Sequence, residues 1–361
     1  MIKVVLTEVE TYIEEIVQAI DFSSLNQFLY ENLRVKMTFE ELVRQISTEG
    51  ISAIDKENIT TMVFDVLFYE ISVAGPLFIK MLVFSLLFSV IQRLLVTKNR
   101  YISDISFLLI YSTLMVLLMQ SFFLVQNIAG DGIDNLLTFL NALIPTYAVT
   151  LAFSGNGISG AALYEISFVM IYLVELLIRS FLVPIIHVFV LILFLNHLFD
   201  EDKLSKMAQL MEKTVQIILK GAFGAVIGIG VVQSMLAPAK DRLSSNMLLS
   251  GLSAMPGMGN AIGSAGEILL SCGILIKNSV GVIALLILVL VSIVPVIKVG
   301  FFWFMYYGLS ALLQPIADKR VAECVTAVAR GCELYLKIIL YSMLLFFVII
   351  SMVTMATSYV Y

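Results

Sequence analysis

The chain has 361 residues, 60% of them hydrophobic and only 14% charged, with a mean hydropathy of +0.99. Soluble domains average about 45–50% apolar and roughly 25% charged, so this composition excludes an ordinary soluble domain. Charge is uneven: residues 1–70 carry 13 acidic and 5 basic side chains, and the remainder carries 14 and 17, which together give the net −5. An acidic head on a weakly basic body excludes nucleic acid as a partner, because phosphate binding needs clustered Lys and Arg.

Residues 1–70 read as short amphipathic helices. Ile13, Ile16, Val17 and Ile20 recur at helical spacing. Ser23 or Ser24 is a candidate cap for a second helix. Thr38 with Glu41 makes a capping box before Leu42, Val43 and Ile46. The expectation is a small solvated region or docking arm. No apolar signal-peptide core is visible in 1–20, where Glu8, Glu10, Glu14 and Glu15 stand.

A first membrane segment is predicted over about 71–92, interrupted by Lys80, and a second over 105–126. Arg93, Lys98 and Arg100 in the loop between them mark it as cytoplasmic and put the acidic head outside. A third segment covers 133–153 with Pro145 inside it. Fourth and fifth segments follow at 161–179 and 182–199.

Residues 203–219 are amphipathic, with Leu204, Met207, Leu210 and Met211 on one face and Lys203, Lys206, Gln209 and Lys213 on the other, the pattern of an interfacial helix. The sixth segment, 214–236, holds Gly224 and Gly228 as GxxxG, which permits close helix approach. The run 267–315 divides into two or three segments, with breaks near Lys277-Asn278, Pro295 with Lys298, and Gln314-Pro315. Residues 318–337 read as a second interfacial helix, and a final span covers 338–358. The fold class is therefore an all-α polytopic bundle with about 7 spans, a membrane domain over 71–361, and possible re-entrant or broken helices. The loops at 93–100, 200–213 and 318–337 all read as cytoplasmic; simple alternation satisfies the first two and becomes ambiguous after 236, where a re-entrant segment would change the parity.

Two glycine-rich stretches carry the candidate helix breaks. Gly155, Gly157 and Gly160 satisfy GxGxxG literally, but membrane-length apolar flanks replace the βαβ unit that a dinucleotide fold needs. Pro256, Gly257 and Gly259 open a similar stretch, and each leads through small residues to a glutamate, Glu165 or Glu267. Irregular backbone at membrane depth is tolerated only where it is buried in protein or lines a cavity, and paired broken segments point to a transporter-like duplication. Ordinary loops are the competing reading.

Glu175 and Arg179 stand four apart on an apolar helix and suit either a structural ion pair or a polar pathway. Lys277 and Asn278 suit a snorkelling turn. Cys324 and Cys332 share a helical face as small packing residues. His187 and His197, ten apart, match no metal-ligand spacing. No catalytic motif, cofactor fingerprint or metal motif is present, so no enzyme activity and no cofactor are expected.

The C-terminal half has a specific order: a Gly/Pro break, Cys272-Gly-Ile-Leu-Ile-Lys277-Asn278-Ser-Val-Gly281, a long aliphatic run with Pro295, then Gln314-Pro315-Ile-Ala-Asp318-Lys-Arg320 and a closing span. This resembles the stage III sporulation protein AE family of endospore-forming bacteria, over about 71–361. The resemblance implies a multi-pass subunit of the secretion-like channel joining mother cell and forespore. It implies a place in the mother-cell membrane around the forespore, with an ATPase and ring-forming components as partners. Family members usually begin with a signal peptide, which this chain does not show. The alternative is a permease-like transporter conducting a small solute through a cavity lined by the glycine-rich breaks.

Overall fold

The computed structural model describes residues 2–33, 37–50, part of 64–91, 100–154, 158–198, 203–253, 259–317 and 319–356. Every regular element among the described residues is helical.

The head contains α1 (Ile2–Ala19), α2 (Ser23–Phe28, extended by a π-helical turn to Leu33) and α3 (Phe39–Glu49). The capping box forms as expected: the Glu41 N–H donates to Thr38 Oγ1 and the Thr38 N–H to the Glu41 carboxylate at 2.9 Å. Neither serine caps α2; its first free N–H, at Ser23, donates to Asp21 Oδ1 at 2.9 Å. The head is not a detached solvated arm. Ile13, Ile16, Val17, Leu25, Phe28 and Val43 join one buried cluster with residues of the membrane body. Phe28 meets Phe139 at 5.3 Å, Thr146 Oγ1 donates to the Asp21 carbonyl, and Ser47 Oγ donates to Ser279 Oγ.

The body is built from α4 (Arg100–Phe153), α5 (Ile158–Leu177), α6 (Val183–Leu198), α7 (Ser205–Ser253), α8 (Gly259–Leu313) and α9 (Lys319–Ala356). A π-helical turn at Ile178–Leu182 makes α5 and α6 one rod. Five helices among the described residues are long and apolar enough to cross a membrane: Ile105–Phe153, Ile166–Leu198, Ser205–Val232, Ser271–Leu313 and Lys319–Met352. The expected segments 105–126 and 133–153 are one helix, and the run 267–313 is another, unbroken at Lys277 and Pro295. Only part of the predicted first span, 71–92, is described.

Contacts fix the direction of each rod. Tyr306 pairs with Ser121, Pro295 with Gly132 and Gly273 with Phe153, so α8 runs antiparallel to α4 in constant register. Phe194, His187 and Arg179 meet Tyr111, Gln126 and Asp134, so the α5–α6 rod is also antiparallel to α4. Arg330 with Glu212 and Tyr341 with Phe223 make α7 parallel to α9. The rods therefore alternate up, down, up, down, up. α9 sits at the centre and packs on all the others, helped by Cys324, Ala327, Ala329 and Cys332, which are small and buried.

This alternation settles the parity that loop charge left open. The start of α4, the end of α6 with the start of α7, and the end of α8 with the start of α9 share one end, here called lower, where Lys203, Lys206 and Lys319 are exposed. α4 ends and α5 begins at the upper end, where α7 also ends and α8 begins.

Both expected interfacial helices are instead the lower parts of α7 and α9. In α7 the expected apolar face is only partly buried: Ala208 and Val215 are buried and Leu204, Met211 and Ile218 half-buried, but Met207 and Leu210 are exposed, as Lys213 is. In α9 it does not mark a surface helix, because Val321, Cys324, Val325, Val328, Cys332 and Tyr335 lie in the core. Among the described residues the GxxxG pair makes no close contact: a β-carbon at Gly224 or Gly228 would meet nothing within 4 Å.

Candidate functional site

Ile105–Phe153 extends about 73 Å at 1.5 Å per residue, more than twice the ~30 Å of bilayer hydrocarbon. Polar groups gather near its middle and separate the two main apolar clusters, one centred on 111–133 with 299–339 and one on 136–151 with 272–291. This waist is the candidate site.

It begins with Gly130, Asp131, Gly132, Asp134 and Asn135 in α4. Arg179, in the π-helical turn, reaches Asp134 through two bonds, Nε to Oδ1 and Nη2 to Oδ2, both 3.1 Å. Fork-to-carboxylate geometry of this kind is the stronger form of ion pair. A β-carbon at Gly130 would lie 2.8 Å from the guanidinium, so glycine is what lets Arg179 pass. At Gly132 it would lie 2.8 Å from the Pro295 ring, so the same stretch brings α4 against α8. Pro295 has no N–H, which leaves the Val291 carbonyl without its helical donor. One turn away in the waist, His187 Nδ1 and Gln126 Oε1 lie 3.0 Å apart.

Between these helices and the end of α2 lies a cleft of about 190 Å³ bounded by Asn32, Asp131, Asn135, Val291, Pro295 and Lys298. Two amides, a carboxylate and an ammonium group on an aliphatic floor can hold a polar molecule or ordered water. They contain no nucleophile–base pair.

The expected Glu175–Arg179 pair does not form. Arg179 points to Asp134, while Glu175 is fully buried toward α9 and accepts from Ser342 Oγ at 3.0 Å. Its other oxygen has no hydrogen-bond partner among the described residues. Lys277 also departs from expectation: it is fully buried inside α8, with Nζ donating to the Thr354 carbonyl at 3.4 Å, so it neither turns the chain nor snorkels. Asn278 beside it is half-buried in the same helix.

Gly155, Gly157, Pro256 and Gly257 lie outside the described residues. Gly160 falls in the first turn of α5 and Gly259 opens α8; Glu267 lies in α8, with its side chain outside the described set. The sequence reading missed Asp131, Asp134, Asn135 and Asn32 because 127–132 passed for a loop between spans. The available signal was spacing: 131, 134 and 135 share one face once the helix continues.

Comparison with known proteins fits this architecture. The family model for stage III sporulation protein AE matches residues 37–357, which includes α3 and the whole body. Stage III sporulation protein AE of Bacillus subtilis (strain 168) is 26% identical over 272 residues, covering 74% of this chain and 68% of that protein. No solved structure matches. The chain, a multi-pass membrane protein with a role in sporulation, belongs to the stage III sporulation protein AE family.

Proposed function

We propose that the chain is a non-catalytic membrane subunit of the secretion-like channel complex between mother cell and forespore, seated in the mother-cell membrane around the forespore. The observation that carries this reading is the family match over 37–357. The architecture supports it in two ways. The exposed cations Lys203, Lys206 and Lys319 share one end of the bundle, the charge expected of a cytoplasmic face. That face suits an acidic surface on the ATPase of the complex, while the acidic head lies along the upper half, on the side available to ring-forming components.

Deletion of the gene in its native spore former tests the reading. Loss of heat-resistant spores, restored by wild type and not by a Lys203→Glu, Lys206→Glu, Lys319→Glu variant that still reaches the membrane, is the expected result. Normal spore yield after deletion would overturn it.

A second reading, a permease-like carrier of a small solute, is favoured by one observation, the polar cleft at the waist. Flux through the purified protein in liposomes separates the two, since a structural subunit shows none by itself.

A further inference from the structure

α7 is the least buried of the five membrane-length helices among the described residues. Its inner face buries Ala208, Val215, Leu219 and Val226 and meets α9 through Glu212 with Arg330 and Phe223 with Tyr341. At about 100° per residue, the opposite face carries Lys206, Leu210, Lys213, Ile217 and Lys220 within about 40° of one line. All five are exposed, Leu210 at 66% and Ile217 at 68%. The lysines recur every seven residues, and none makes an ion pair among the described residues. Gly224 and Gly228 continue the line upward, and a β-carbon at either meets nothing within 4 Å.

Lipid does not fit this face. Lys206 and Lys220 stand about 21 Å apart along the axis, against roughly 5–8 Å for one headgroup layer. Contacts of α9 with Glu212 and with Tyr307 set the stripe level with the lower halves of α4 and α8. There Leu109, Val116, Phe304 and Leu312 are exposed, with no charge over 105–130 or 299–313, as a lipid-facing surface requires. A second copy does not fit either. Parallel packing of two α7 faces on GxxxG sets each lysine stripe against its twin, a like-charge repulsion repeated three times. The acidic α1 of a second copy is held above the waist by its own α4 and α8, while the stripe lies below it.

We propose that the outer face of α7 seats a helix of a different membrane protein, with carboxylates at seven-residue spacing beside Lys206, Lys213 and Lys220. The carboxylates answer the three ammonium groups, and apolar residues between them cover Leu210 and Ile217. Gly224 and Gly228 let the backbone of that helix approach closely above. The inference goes beyond the functional reading, since it needs a partner helix and not the identity of the complex.

Full-length protein in dodecyl maltoside, titrated with a fluorescent synthetic peptide, tests it. The peptide is a Leu/Ala helix of about 30 residues whose first half carries three glutamates seven apart. Control peptides carry lysine or glutamine in place of each glutamate. The glutamate peptide should bind at least ~10-fold tighter than both controls. Lys213→Glu combined with Lys220→Glu should weaken it ~10-fold or more and bind the lysine peptide instead, which also shows that the variant is folded. Gly228→Leu, placed in open space, should weaken the glutamate peptide ~10-fold with an unchanged melting temperature. Equal binding of the three peptides, or no exchange of preference in the charge-reversed variant, would overturn the proposal. Binding of dihexanoyl phosphatidylglycerol that needs the same lysines and displaces the peptide would assign the face to lipid. Self-association of the protein that is lost in Gly228→Leu would assign it to a second copy, and either result overturns the proposal as well.

Discussion

Arg179 grips Asp134 across the α4–α5 seam and lies over Gly130, where a β-carbon would come within 2.8 Å of its guanidinium. The ion pair and the glycine are one device. The pair itself is about half exposed on both sides, so its direct contribution is that of a surface bridge, up to about 1 kcal/mol.

Asp134→Asn and Gly130→Val should therefore each cost under about 1 kcal/mol, because a side chain at 130 meets only the movable, half-exposed end of Arg179. Thermal unfolding of the two variants in detergent measures both. A loss above about 2 kcal/mol for either would show that the pair behaves as a buried one.

Glycines on the long helices divide into two kinds. At Gly273 a β-carbon would collide with the Phe153 carbonyl, a backbone atom that cannot swing away. At Gly224 it would meet nothing within 4 Å. Gly273→Ala should destabilise by about 3 kcal/mol or more. Gly224→Ala should be neutral or stabilise by up to about 1 kcal/mol through helix propensity. Melting temperatures measured side by side decide the matter.

Ser342 supplies a buried hydrogen bond to Glu175, and no other is formed by that carboxyl among the described residues. Ser342→Ala should cost about 1–3 kcal/mol because it strips a buried carboxyl of its donor. Glu175→Gln, which keeps an acceptor for Ser342, should cost less. A double-mutant cycle with Glu175→Leu and Ser342→Ala should show coupling, the double variant being nearer wild type than the sum of the singles.

The Ser23 hydroxyl, and after it the Ser23 N–H, hold the Asp21 carboxyl below its ordinary 3.8. A carboxyl lowered in the folded state contributes stability that is complete above its unfolded value and is lost as pH falls through the folded one. The first turn of α2 should therefore stay protected above about pH 4 and loosen as pH drops below 3.8. Asp21→Asn should flatten that dependence. Amide exchange at Ser23 and Leu25 across acid pH measures it.

The helical class, the membrane-length apolar runs and the Thr38–Glu41 capping box were legible in the sequence, because they depend on local pattern and composition. Cys324 and Cys332 were legible as packing residues for the same reason. Other features were decided only by tertiary structure. Pro295 and Lys277 looked like breaks in the sequence, yet α8 runs straight through both, since neighbouring helices satisfy and bury what a lone helix in lipid would leave exposed. Glu175 and Arg179 looked like partners at four residues apart, but the packing of α9 and α4 on opposite sides offers each a different one. The head read as a solvated arm because amphipathicity gives a buried face without naming what buries it; here that is α4 and α8. The waist was invisible for a simpler reason: Asp131, Asn32 and Lys298 are far apart in the chain, and the antiparallel register of α4 and α8 together with the docking of the head brings them to one cleft.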